Sequence, residues 1–179
     1  MNILVNDNKI EFKVEDFPML ITGAERTGTS FFSLCLLVSL AETENKVLLF
    51  SAYKAAKDEF KKQLDVKNEN AIIAKSGDEK IFLKSIKNIV DISDRIILIK
   101  NIENYSYKLF NALKKFDLII FSGDIDKCQF ADDLMKKEFK TKIFFSQSKN
   151  FPNKKVKELP KYNGRIISEN YNGLITLEM

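Results

Sequence analysis

The chain has no histidine and no tryptophan, and only two cysteines, three prolines and six glycines among 179 residues. Without histidine it lacks the commonest general base and transition-metal ligand, so acid and base work would fall to carboxylates, lysine, tyrosine or cysteine. Cys35 and Cys128 lie in unrelated segments with no CxxC spacing. A redox pair or a zinc site therefore has little support, and both read as buried structural thiols. Arginine is scarce as well: Arg26, Arg95 and Arg165 are the whole set, and lysine carries the remaining positive charge. A net charge of +4 is mildly basic and does not by itself imply nucleic acid. Long apolar runs are missing too. Phe31 to Ala41, broken by serines, is too short to span a bilayer, and MNILVNDNK lacks the apolar core of a signal peptide. The expectation is a cytoplasmic protein with no membrane insertion.

What is present is a globular composition, 45% hydrophobic and 11% aromatic, in a chain whose length suits one domain over residues 1–179. Short apolar runs at Met19 to Thr22, Val47 to Phe50, Ile96 to Ile99, Leu118 to Phe121 and Ile143 to Phe145 show no polar alternation. That is the signature of strands buried on both faces of a parallel sheet. Between them, KAAKDEFKKQL, EKIFLKSIKNIV, SYKLFNALKKF and ADDLMKKEFK have helical spacing with charged outer faces. Thr29 to about Ala41 is apolar nearly all round, as a buried helix is. Ala71 to Ala74 offers a further short strand. Ile3 to Val5 and Ile10 to Val14 form a hairpin pattern around Asn6-Asp7-Asn8, and GRIISENYNGLITLEM predicts a second hairpin turning at Asn172-Gly173. The fold class expected is a three-layer α/β domain of about five mostly parallel strands, with β-hairpin additions at both termini.

The chemistry concentrates after the first core strand, in LITGAERTGTS. Gly23 and Gly28 are spaced as in a loop whose backbone N–H groups converge on phosphate oxygens, and the following helix adds the positive end of its dipole. Thr29 and Ser30 take the next two places. On this loop, on NKVLLFSAYKAAKDEF directly after the first helix, and on the later strands RIILIKNIE, DLIIFSGDID and KIFFSQSKN, the chain resembles the P-loop NTPases, and within them the RecA-like group.

The resemblance implies a phosphate loop over Gly23, Ala24, Glu25, Arg26, Thr27, Gly28, Thr29 and Ser30, but three of the family's roles are not matched. Thr29 replaces the lysine that reaches the β- and γ-phosphates. Lys100 and Asn101 stand where the magnesium-supporting Walker B acid is expected, and Ser51-Ala52-Tyr53 where many relatives carry a water-orienting glutamate. Because phosphoryl transfer depends on those charges, the expectation is a degenerate, non-hydrolysing relative with no firmly assigned catalytic or metal residue, acting as a binding or assembly subunit with a protein partner, itself or an active paralogue. No cofactor is certain. The alternative is an ATPase taking ATP with Mg, in which Arg26 supplies the cation, Ser30 holds the metal, Asp124 or Asp126 replaces the acid and Gln147 serves as a sensor residue. A further alternative rests on ERTGTS, which is similar to the phosphosulfate loop of sulfotransferases; that family's second signature is poorly met by ILIKNIENYS, with Lys100, Ile102 and Ser106 in its places. Nucleic acid contact through Lys149, Lys154, Lys155 and Lys157, with Phe151 and Tyr162 interleaved, is not favoured over a solvated loop.

Overall fold

A computed structural model describes residues 2–24, 27–43, 45–63, 72–145 and 163–178. Its elements follow in the order β1 (Asn2–Val5), β2 (Asn8–Ile10), β3 (Met19–Thr22), α1 (Thr29–Glu42), β4 (Val47–Ser51), α2 (Lys54–Gln63), β5 (Ile72–Ser76), α3 (Glu79–Ile86), β6 (Ile96–Lys100), α4 (Tyr107–Leu113), β7 (Ile119–Gly123), α5 (Ala131–Lys136), β8 (Thr141–Phe145), β9 (Gly164–Ser168) and β10 (Asn172–Glu178). All ten strands join one sheet in the order β2-β1-β10-β9-β8-β3-β7-β6-β4-β5.

Six strands, β8-β3-β7-β6-β4-β5, run parallel. The further short strand expected at Ala71 to Ala74 is β5, the half-buried edge strand, with Ala71 itself outside the described residues. Connections β3 to β4 and β4 to β5 travel towards that edge, and those from β5 through β8 travel back. Right-handed crossovers therefore put α1 and α2 on one face and α3, α4 and α5 on the other. Packing follows this division. Met19, Ile21, Val47, Leu49, Ile96 and Leu98 meet α1 and Phe60 of α2. Leu20, Leu48, Ile97, Ile99, Ile119 and Phe121 meet Phe82, Leu109, Phe110 and Leu134. Each fully buried large apolar side chain contributes about 1.5–3 kcal/mol.

Helix α1 is apolar all round because it is covered on several sides. It lies across β3, β4, β6 and β7 and touches α2, while Ile10 and Phe12 pack against the same cluster. The two terminal hairpins are not separate additions: β1 pairs with β10 and β9 with β8, all antiparallel, so they extend the sheet.

Two sequence expectations need correction here. β2 ends at Ile10, and Val14–Asp16 is a short 3-10 turn. The C-terminal hairpin turns at Glu169–Tyr171, not at Asn172-Gly173, which lie inside β10 opposite Ile167 and Ile166. Ser168 fixes the true turn: its Oγ accepts from Tyr171 N at 2.8 Å, and its backbone N donates to Tyr171 O at 2.8 Å. The Asn6 carboxamide lies against Gly173, with Oδ1 accepting from Leu174 N at 3.0 Å. The glycine thus serves the contact between the terminal hairpins.

Candidate functional site: the cleft at the loop after β3

All six parallel strands end at one edge of the sheet, where the loops after β3, β4, β6 and β7 enclose a cleft of about 620 Å³. Such crevices beyond the carboxyl ends of parallel strands are where α/β sheets bind ligands.

The loop after β3 supplies its floor. Gly28 precedes α1 with φ of 107°, a left-handed angle that favours glycine, and no side chain caps the helix. Gly23 is needed for space: a Cβ there would lie 2.6 Å from Thr29 Oγ1, 2.7 Å from Phe145 Cβ and 2.8 Å from Thr27 Oγ1. The buried threonines close the loop upon itself. Thr27 Oγ1 donates to Ala24 O at 2.8 Å and stands 3.2 Å from Thr29 Oγ1. Because the Thr27 proton is committed to Ala24, the Thr29 hydroxyl is the donor in that pair. At the position of the family's lysine, the side chain is short and turned into the loop.

A cationic side chain enters from another strand. Along β6, Ile96 and Leu98 face α1 and α2 while Ile97 and Ile99 face the opposite layer, so the alternation sends Lys100 towards α1. Lys100 is 6% exposed and lines the cleft with Gly23, Gly28 and Thr29. Burial holds its ammonium below the ordinary lysine range, and Glu59 and Glu103 pull it part of the way back. Among the described residues, no carboxylate lies within the 4 Å of an ion pair with it.

The surrounding groups tie the strand ends together. Asn101, at φ 66°, accepts from Ser51 Oγ at 3.0 Å through Oδ1, and that Oγ accepts from Tyr53 N at 3.1 Å. Glu103 Oε2 accepts from Asp124 N at 3.0 Å. Asp124 accepts from Asp126 N through Oδ1 and pairs with Lys127 Nζ at 3.4 Å through Oδ2. Thr22 Oγ1 accepts from Ile125 N at 3.2 Å, locking β3 to the turn after β7.

The fold brings Gly23, Ala24, Gly28, Thr29, Ser30 and Asp124 to the cleft; Thr27 is buried beneath the loop, and Asp126 is not among the lining residues. Glu25, Arg26, Gln147, Lys149, Lys154, Lys155, Lys157, Phe151 and Tyr162 lie outside the described residues. Ser106, weighed for a sulfotransferase-like site, donates its Oγ to Glu79 Oε1 at 2.8 Å and caps α4. Sequence reading missed Glu59 and Glu103 and met Lys100 as a mismatch at the Walker B position and as a poor counterpart of a sulfotransferase arginine. The period of two along β6 is the signal that points Lys100 at the loop.

Magnesium does not fit this arrangement. It needs oxygen ligands, yet the ammonium of Lys100 occupies the strand end that would support it. Two cations sharing that strand end repel each other. Among the described residues, no group of three or more acidic, histidine or cysteine side chains is placed to hold a metal. An anion fits better, facing an uncapped helix start, a glycine loop and a buried ammonium.

Cys35 and Cys128 are both buried, as the sequence suggested, and burial pushes each thiol up to about 11. No helix among the described residues is long and apolar enough to cross a membrane.

No family model matches the chain, and no curated protein matches it. Solved structures do resemble it. The genome packaging NTPase B204 from Sulfolobus turreted icosahedral virus 2, in complex with AMPPCP, is similar with a TM-score of 0.59 and 14% identity, over 92% of this chain and 98% of that one. The cytoplasmic domain of the Thermomonospora curvata Type VII secretion ATPase EccC has a TM-score of 0.69 and 13% identity; the match spans 98% of this chain but 25% of that one. EssC (ATPases 2 and 3) from Geobacillus thermodenitrificans gives 0.55 and 17%, over 91% of this chain and 39% of that one. The fold is that of P-loop NTPase domains.

Proposed function

We propose that the protein is a degenerate, non-hydrolysing P-loop subunit that serves binding or assembly. The observation that carries this reading is the exchange of charge at the cleft. The phosphate loop has lost its cation at Thr29, and the strand end that would support a metal carries the buried side chain of Lys100. Hydrolysis needs positive charge on the phosphates together with a metal and a positioned water. Glu59 and Glu103 bring carboxylates into the cleft, but Glu103 is tied to the backbone of Asp124, which leaves it poorly placed to orient a water. The ATPase reading built on Arg26 and Ser30 needs the metal that Lys100 opposes.

A partner, either a second copy or an active paralogue, is supported by the similarity to parts of longer chains: this fold corresponds to a quarter of the EccC chain and 39% of the EssC chain. The test is phosphate release from ATP with magnesium by the full chain, together with sedimentation velocity alone and with an active P-loop ATPase from the same source. The expected result is no release above the protein-free blank, with association in at least one mixture. Steady metal-dependent turnover would replace this reading with the ATPase one, and a monomer that joins nothing would remove the assembly role.

A further inference from the structure

Lys100 is an unusual residue to leave in place. As a residue Lys100 is 94% buried, and charged side chains so deeply placed persist where something compensates them. Among the described residues three carboxylates share the cleft, yet two are engaged elsewhere. Glu103 accepts from Asp124 N, and Asp124 is paired with Lys127 and accepts from Asp126 N. Glu59, on α2, lies beyond ion-pair distance. Two independent features face the same space: the ammonium from β6, and the start of the 14-residue helix α1, which no side chain caps. Both favour negative charge.

We propose that the cleft binds a phosphate group without a divalent metal, the Lys100 ammonium standing where the ion would be. The ligand class is inorganic phosphate or the terminal phosphate of a nucleotide, held by the N–H groups of residues 28–30 and by Lys100 Nζ. The charge that a P-loop enzyme distributes between a loop lysine and a metal is here concentrated in one lysine from a neighbouring strand. A lysine neutralises phosphate but cannot hold and polarise a water as a metal does, so it provides binding without cleavage. This deepens the proposed function and rests on it, since both take the cleft to be closed to magnesium.

The test is isothermal titration of the full chain with inorganic phosphate, ADP and ATP, each in EDTA and again with magnesium, using the wild type, Lys100→Met and Lys100→Arg. Circular dichroism and a urea midpoint establish that the variants fold. Binding of phosphate or nucleotide in EDTA is expected, with magnesium giving no gain. Lys100→Met should weaken binding about 10- to 100-fold, the value of a hydrogen bond to a charged group, and Lys100→Arg should retain most of it. Phosphate binding as well as ADP would indicate a site for the anion alone; preference for ADP would indicate a nucleotide. Absence of binding in EDTA, or equal binding by Lys100→Met, overturns this inference and leaves the non-hydrolysing reading standing. Binding that requires magnesium and is followed by phosphate release overturns both.

Discussion

Replacing Lys100 by methionine should make the protein more stable at neutral pH. Lys100 is nearly fully buried, and its ammonium is held below the ordinary lysine value of 10.5 by desolvation that outweighs the attraction of Glu59 and Glu103. A group whose charged form is disfavoured by the fold costs stability for as long as it stays charged. The gain of about 1–4 kcal/mol seen when buried ionic groups are exchanged for well-packed apolar side chains of similar volume bounds the effect. Because the two carboxylates lose a nearby cation in the exchange, the lower part of that range applies, about 1–2 kcal/mol. For a chain of this size, that gain raises Tm by about 2–8 °C. The pH dependence provides a second reading of the same quantity. Between the lowered folded value and 10.5, the unfolded chain binds more protons at this site than the folded one, so the wild type gains stability from Lys100 as pH rises through that window. Below the folded value the whole penalty stands. The advantage of Lys100→Met should accordingly be greatest at neutral pH and shrink as pH approaches 10.5. Urea denaturation of both proteins at several pH values measures it. A loss of more than about 1 kcal/mol at pH 7 would refute the reasoning, because the ammonium would then be making a net favourable pairing.

Other positions give separate checks. Gly23→Ala places a methyl group against Thr27, Thr29 and Phe145 and should cost about 1–3 kcal/mol in urea midpoint analysis; an unchanged midpoint would mean that the loop is not packed as described. Thr27→Val removes the hydroxyl donor to Ala24 O and leaves that carbonyl only the longer bond from Thr27 N at 3.4 Å, for an expected loss of about 0.5–1.5 kcal/mol; a neutral result would show that this bond does not hold the loop. Asn101→Ala deletes the acceptor of Ser51 Oγ at a left-handed position and should destabilise by about 1–3 kcal/mol, whereas Asn101→Gly, freed of the backbone cost, should lose less. With thiols at about 11, Cys35 and Cys128 should react with a disulfide reagent at pH 8 only after urea is added; rapid labelling of the folded protein would contradict their burial.

The core strands were legible because a parallel strand buried on both faces has no polar alternation to disguise it, as the runs Val47 to Phe50 and Ile96 to Ile99 show. The loop between β3 and α1 was legible as a strand-to-helix turn from its two glycines. Less visible was anything decided by contact between distant segments. Asn172-Gly173 has the composition of a turn, but pairing with β9 and the approach of Asn6 place it within a strand. Glu59 and Glu103 lie on different elements, Glu59 on α2, which packs on β4 and β5, and Glu103 in the turn after β6, and only the folded sheet brings them to one cleft. Lys100 was readable as the wrong residue at a strand end, but its burial against the helix start depends on the register of β6 between β4 and β7.

The most direct measurement is electron paramagnetic resonance of Mn²⁺ titrated with ATP in the presence of the full chain, manganese standing in for magnesium. If Lys100 closes the metal position, the spectrum should be that of Mn²⁺ and its ATP complex in solution, unaltered by the protein. A protein-bound ternary spectrum, accompanied by phosphate release, would contradict the account.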